Sequence, residues 1–150
     1  MGCRWKAALA PLACLWLAAC GSADPPEVQV RAVIDAAETA AEARDVSALM
    51  DFVSPDYKDS DGRQAEELSR YLRGYFIANQ SIHLLTRIEK LEFPASDVAE
   101  VALTVGMVGR EAESQSAWDL AADIYEIKLT LMNESGAWRV THVDAQPAGR

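Results

Sequence analysis

His83 and His142 are the only imidazoles in the chain, and His142 stands two residues before Asp144. On an extended strand, residues i and i+2 point to one face. His142 and Asp144 therefore share a face with Trp138 and Val140, provided that no bulge intervenes. A histidine beside a carboxylate in a concave site can take a proton from a carbon next to a carbonyl and return it. The plainer reading of His142 is a half-exposed residue near a strand end, satisfied by a neighbour. Tyr57, Tyr75 and Asp144 could supply a carboxylate base and an oxyanion-stabilising acid or tyrosine, although no local motif brings them together. Two histidines this far apart, with no third ligand, make a poor metal site, so neither a metal nor a cofactor is expected. Asp56, Asp59, Asp61 and Gly62 imitate part of a calcium loop. Aligning Gly62 with the glycine of such a loop puts Tyr57 first and Leu68 last, where carboxylates are required. A solvated acidic turn is the better reading. Glu111, Glu113 and Asp119, around Ser114-Gln115-Ser116, read as a polar hairpin loop.

The cysteines are Cys3, Cys14 and Cys20. Arg4 and Lys6 open the chain with positive charge, and a mainly apolar run of 13 residues follows from Ala7 to Ala19. That run is too short to cross ~30 Å of hydrocarbon comfortably but suits the core of a secretory signal. It ends in Leu17-Ala18-Ala19-Cys20-Gly21, which resembles the lipobox of bacterial lipoproteins. The resemblance implies that residues 1–19 are a signal peptide removed just before Cys20. It also implies that the Cys20 thiol carries a diacylglycerol and the new amine usually a further acyl chain such as palmitate. Several chains, at ~0.8 kcal/mol per buried methylene, hold a protein on a membrane almost permanently. Gly21 and Ser22 stand where, by resemblance to enterobacterial sorting, an aspartate would favour the inner membrane. The periplasmic face of the outer membrane is the expected location.

The whole chain has 150 residues, 50% hydrophobic and 25% charged, with a net charge of −9. This suits one globular domain, too apolar for a disordered tail and too acidic to bind nucleic acid by charge. Removing residues 1–19 takes away Arg4 and Lys6, leaving 12 basic against 23 acidic residues, or −11. Cys3 and Cys14 leave with the signal, and Cys20 is capped. The mature domain then has no thiol chemistry. Its acidity keeps it from anionic head groups, so the tether rather than the surface attaches it.

Behind any site must stand the elements that position it. Residues 20–26 form a lipidated linker stiffened by Pro25-Pro26. Val30, Val33, Ile34, Ala37, Ala40 and Ala41 recur at helical spacing from about Glu27, with Arg31, Asp35, Glu38 and Glu42 opposite. Asp45 reads as the N-cap of a short second helix with Val46, Leu49, Met50 and Val53 on its apolar face, ended by Ser54-Pro55. Asp56 to Arg63 is a loop or short hairpin turning at Asp61-Gly62. A third helix, from about Ala65 to Gln80, buries Leu68, Leu72, Tyr75 and Phe76. Arg70 and Arg73 pair along it with Glu66 and Glu67. The period then shortens to that of strands. Ile82 to Phe93 alternates imperfectly and predicts a bulge. Val101, Leu103, Val105 and Met107 share one face of Val98 to Val108. Tyr125, Ile127, Leu129 and Leu131 do the same in Asp123 to Met132. A turn at Asn133-Glu134-Ser135-Gly136 leads to a last strand, Trp138 to Val143. Helices first and strands afterwards predict an α+β domain over residues 27–146, with a short tail at 147–150 and an antiparallel sheet covered on one face.

Ala43-Arg44-Asp45-Val46-Ser47-Ala48-Leu49, running into Phe52-Val53-Ser54-Pro55-Asp56-Tyr57, carries a family resemblance. So does Tyr125-Glu126-Ile127-Lys128-Leu129-Thr130-Leu131, followed by Gly136-Ala137-Trp138-Arg139-Val140. These segments resemble the nuclear transport factor 2-like (cystatin-like) superfamily, over essentially the whole mature domain. The resemblance implies a sheet curled into a cone under N-terminal helices, with a pocket at the open end. The superfamily includes isomerases, cyclases and dehydratases as well as non-catalytic binding domains, so fold alone does not choose a function. Tyr57, Tyr75, His83, Trp118, Tyr125 and Trp138 are the candidate pocket residues. Large aromatics on a sheet face are core more often than ligand platforms, so Trp118, Tyr125, Trp138 and Tyr75 are expected to fill the cone rather than line an open site.

The leading expectation is a non-catalytic lipoprotein of the envelope that binds a small apolar ligand or an envelope protein. The alternative is a small pocket enzyme of isomerase, cyclase or hydrolase type using His142 and Asp144. A homodimer through the exposed sheet face is a third expectation, implied by the superfamily resemblance.

Overall fold

The computed structural model describes residues 24–111 and 120–149. Pro25-Pro26 starts the first helix, α1 (Pro26–Glu42), where a proline's missing N–H costs nothing. Its apolar stripe buries Val30 and Ile34. The helix ends where Arg44 takes a left-handed backbone, φ 56°, with Asp45 N donating to Ala40 O at 2.9 Å. The Arg44 guanidinium then donates to the carbonyls of Phe76 (3.0 Å) and Asn79 (2.9 Å), carbonyls left over at the end of a later helix.

Helix α2 (Val46–Met50) is capped by Asp45, whose Oδ1 accepts from Ala48 N at 3.0 Å. It ends before Ser54-Pro55, earlier than the local pattern predicts. The chain leaves it to pair alongside a strand: Ser54 N donates to Val140 O at 2.9 Å and Val140 N to Phe52 O at 2.8 Å. Buried Ser54 donates its hydroxyl to Glu134 Oε1 at 2.6 Å, fixing that crossing. Gly62, at φ 84°, turns a short hairpin whose arms meet at Lys58 and Gln64. Helix α3 (Ala65–Ala78) starts with Gln64 N donating to Glu67 Oε2 at 3.0 Å. It stops short of the expected Gln80, because Asn79 is already extended and Arg44 holds the carbonyls there.

Four strands follow: β1 (Asn79–Ala95), β2 (Val98–Glu111), β3 (Leu120–Glu134) and β4 (Ala137–Pro147). They form one antiparallel sheet in the order β1-β2-β3-β4. The bulge expected in the first strand is present, with register shifts at Asn79/Ser81, Ile88/Lys90 and Glu92/Ala95. Such shifts bend the sheet around the helices. Ser135 and Gly136, both at positive φ, make the tight turn between β3 and β4.

One irregularity decides which residues face the helices. Thr130 pairs with His142 but its neighbour Leu131 pairs with Val140, so Thr141 is an extra residue in β4. One extra residue exchanges the two faces of everything after it. Trp138 and Val140 point toward the helices before the bulge; Val143 and Ala145 do so after it. The bulge is held from outside the sheet. Lys58 N donates to Thr141 O at 3.0 Å and Ser60 N to Val143 O at 3.1 Å; within the sheet, Thr141 Oγ1 donates to Thr130 O at 3.2 Å.

Val30 and Ile34 of α1 pack on Ala99, Val101, Leu103, Leu131 and Trp138 to close the narrow end of the cone. The β1–β2 and β3–β4 turns lie there, joined by Asn133 N donating to Asp97 O at 2.8 Å. The other end of α1 reaches the start of β1, where Leu84 N donates to Glu42 Oε1 at 2.8 Å. Among the described residues, no helix is long and apolar enough to cross a membrane.

Candidate functional site

Beyond that closed end, helices and sheet part and leave a cavity of about 420 Å³. Helix α1 contributes Ala37, Glu38 and Ala41. Helix α3 contributes Leu68, Tyr71, Leu72, Tyr75 and Phe76, a set at the three- and four-residue steps of one helix face. The inward residues of the strands, among them Met107, Tyr125, Ile127 and Val143, form the floor. The expectation that aromatics fill the cone is corrected for two of its four residues, Tyr75 and Tyr125. Trp138 does fill: it is 4% exposed at the narrow end, with its ring edge-on to Phe93 at 5.9 Å. Tyr75 and Tyr125 line open space instead, because α3 and the bent strands diverge at their level. Trp118 lies outside the described residues, as does Cys20.

All four tyrosines of the chain line this cavity. Tyr57 is 2% exposed, and its hydroxyl is pushed up to about pKa 12. Burial is the main cause and the negative charge of Asp59 the next; Arg63 opposes them, and Asp61 adds a smaller upward push. Asp59 is itself buried and holds Arg63 at 2.9 Å, while the Arg63 backbone N–H donates to its other oxygen at 2.8 Å. The Arg63 guanidinium also sits 5.2 Å from the centre of the Tyr71 ring, a cation over an aromatic face. Tyr75 is pushed above the usual phenol range by burial first, then by Tyr125, Tyr71 and Asp123. Its hydroxyl donates to Met107 Sδ, and its ring stacks on Tyr71 at 6.3 Å. Tyr57 and Tyr75 are thus neutral phenols at physiological pH, able to donate a hydrogen bond and unable to act as bases.

The acid–base pair expected from alternation is not in the cone. The extra residue Thr141 turns His142 and Asp144 to the outer face of the sheet. His142 Nδ1 lies 2.5 Å from Lys58 O. Since a carbonyl only accepts, that nitrogen carries the proton, and the ring serves to hold the 58–64 hairpin against β4. Asp144 stands opposite Lys128 in a shallow outer groove with Arg87, Glu89 and Thr104. His83 is also misplaced by the pocket expectation. Its side chain is 77% exposed beside Glu42, 3.9 Å away, on the outer side of β1. Of the six candidate pocket residues, Tyr57, Tyr75 and Tyr125 line the cavity.

Sequence reasoning missed Tyr71 and Glu38. Tyr71 follows Leu68 by three residues and so belongs to the same helical stripe. Glu38 follows Ile34 by four and precedes Ala41 by three, which puts it on the flank of the apolar stripe rather than opposite it. It is the only ionisable side chain other than tyrosine among the described lining residues. No group of three or more potential metal-binding side chains occurs among the described residues.

No family model and no curated protein matches the sequence. Solved structures do match in shape. A candidate scytalone dehydratase from Novosphingobium aromaticivorans superposes with a TM-score of 0.74 at 11% identity, over 82% of this chain and 84% of that one. A hexachlorocyclohexane dehydrochlorinase from Novosphingobium barchaimii gives 0.69 at 11% identity, over 82% and 86%. An uncharacterised protein with a cystatin-like fold from Caulobacter vibrioides gives 0.67 at 14% identity, over 82% and 89%. At these identities the likeness is one of fold: helices followed by a curved four-stranded antiparallel sheet, the nuclear transport factor 2-like cone.

Proposed function

We propose that this chain is a non-catalytic binding module of the bacterial envelope, tethered to a membrane by lipid on Cys20, that takes a small apolar ligand into its cone. The observation that carries the reading is the cavity itself. Its volume of about 420 Å³ falls in the range of small-molecule sites, and its walls are apolar apart from a few hydroxyls and Glu38. Some neighbours in fold are described as a dehydratase and a dehydrochlorinase. A His–Asp site inside this cone would need His142 or His83 to face inward, and both face out. The anchor is supported by the order of charged start, apolar run, lipobox and polar linker, and the outer membrane by Gly21-Ser22 after the cysteine.

Two measurements test the two halves. Mass spectrometry of the amino terminus from membranes should find a triacylated Cys20; an unmodified terminus in soluble material contradicts the anchor. A neutral apolar dye, N-phenyl-1-naphthylamine, should brighten with the exported Cys20→Ser chain, and Ala37→Phe should abolish the signal by occupying the cavity. Dye binding that Ala37→Phe leaves unchanged contradicts the cone as the site.

A further inference from the structure

Granting that the cavity is a binding site, we infer that its ligand is an organic cation: an ammonium or comparable cationic nitrogen on an apolar body. The lining carries one carboxylate, Glu38, and no lysine, arginine or histidine among the described residues. Glu38 is half-buried, and no hydrogen bond or ion pair to it occurs among the described residues. A lone carboxylate on an apolar wall, left without a cation of its own, favours a ligand that brings one and repels an anion. The rest of the wall suits the same charge. Tyr71, Tyr75 and Tyr125 are among its lining residues, and aromatic rings and phenol oxygens both attract cations. Tyr71 already carries the Arg63 guanidinium over its ring at 5.2 Å, on a wall where α3 meets the 58–64 hairpin. The chain as a whole, at −9, steers cations toward it. An apolar body is required because the remaining lining consists almost wholly of aliphatic and aromatic side chains.

The test uses three probes of one shape: 4-phenylbutylamine, 4-phenylbutan-1-ol and 4-phenylbutyrate, titrated calorimetrically into the exported Cys20→Ser chain. The expected order is amine, alcohol, butyrate, with the amine about tenfold tighter than the alcohol. Glu38→Gln should remove that tenfold preference of amine over alcohol. Glu42→Gln, one turn along and bonded to Leu84 rather than lining the cavity, should leave the preference intact. Equal affinities for amine and alcohol, or a preference that survives Glu38→Gln, overturn the cation reading and leave the pocket standing. Failure of all three probes, together with failure of N-phenyl-1-naphthylamine, overturns the pocket reading and this inference with it.

Discussion

Deleting Thr141 should unfold or severely weaken the domain, although the residue is a half-buried threonine with a replaceable side chain. Without it, either β4 slips by one position after Val140 or its hold on the 58–64 hairpin breaks. A slip sends His142 and Asp144 toward the apolar cavity and Val143 outward. Burying two polar groups without partners costs about 1–3 kcal/mol each, more for a charged carboxylate. If the hairpin breaks away instead, the bonds Lys58 N to Thr141 O, Ser60 N to Val143 O and His142 to Lys58 O are lost, at about 0.5–1.5 kcal/mol each. The first route comes to about 2–6 kcal/mol and the second to about 1.5–4.5 kcal/mol, against a whole-domain stability of roughly 5–15 kcal/mol. Thr141→Val separates the side chain from the bulge. It keeps the extra residue and removes only the bond to Thr130 O, so it should cost about 1 kcal/mol. Urea denaturation of the two variants, followed by circular dichroism, measures both. A deletion variant within about 1 kcal/mol of the parent would refute the assignment of the bulge as the feature that sets the faces of β4.

Leu131, fully buried at the floor of the cone, should lose about 2–5 kcal/mol of stability as Leu131→Ala, read from the shift of the urea midpoint. Asp45→Ala removes the cap of α2 and should cost about 1 kcal/mol in the same assay. The Tyr57 contribution to stability should be constant below about pH 10 and be lost between pH 10 and about 12, because the folded state holds the Tyr57 proton to about 12 while the unfolded chain releases it near 10. Unfolding midpoints through that window check this, and Tyr57→Phe should reduce the slope. A Tyr57→Phe profile as steep as the parent's would show that the slope comes from other groups.

The faces of the second and third strands could be read from alternation alone, since Val101 to Met107 and Tyr125 to Leu131 keep strict period two with no bulge. The face of His142 could not. The residue that flips it, Thr141, is held by Lys58, and Val143 just beyond it by Ser60, more than eighty positions earlier, and nothing in residues 138–144 records those contacts. The end of α2 departs from its local pattern for a related reason. Val53 fits a helical stripe, yet its neighbours Phe52 and Ser54 gain strand-like bonds to Val140 that only the folded sheet offers. Glu38 was hidden differently. Its position on the flank of α1 follows from spacing, but whether a flank meets solvent or a cavity depends on how far α3 stands from the sheet.

The most direct test of the open cone is a methyl-resolved NMR titration of the exported Cys20→Ser chain with 4-phenylbutan-1-ol. The methyls of Leu103, Met107, Ile127 and Leu129 should move together and saturate, while those of Leu85 and Ile124 on the outer face and the ring of His142 stay still. Movement confined to Leu85, Ile124 and His142, with the inner methyls unchanged at saturating probe, would contradict the cone as the place where this protein binds.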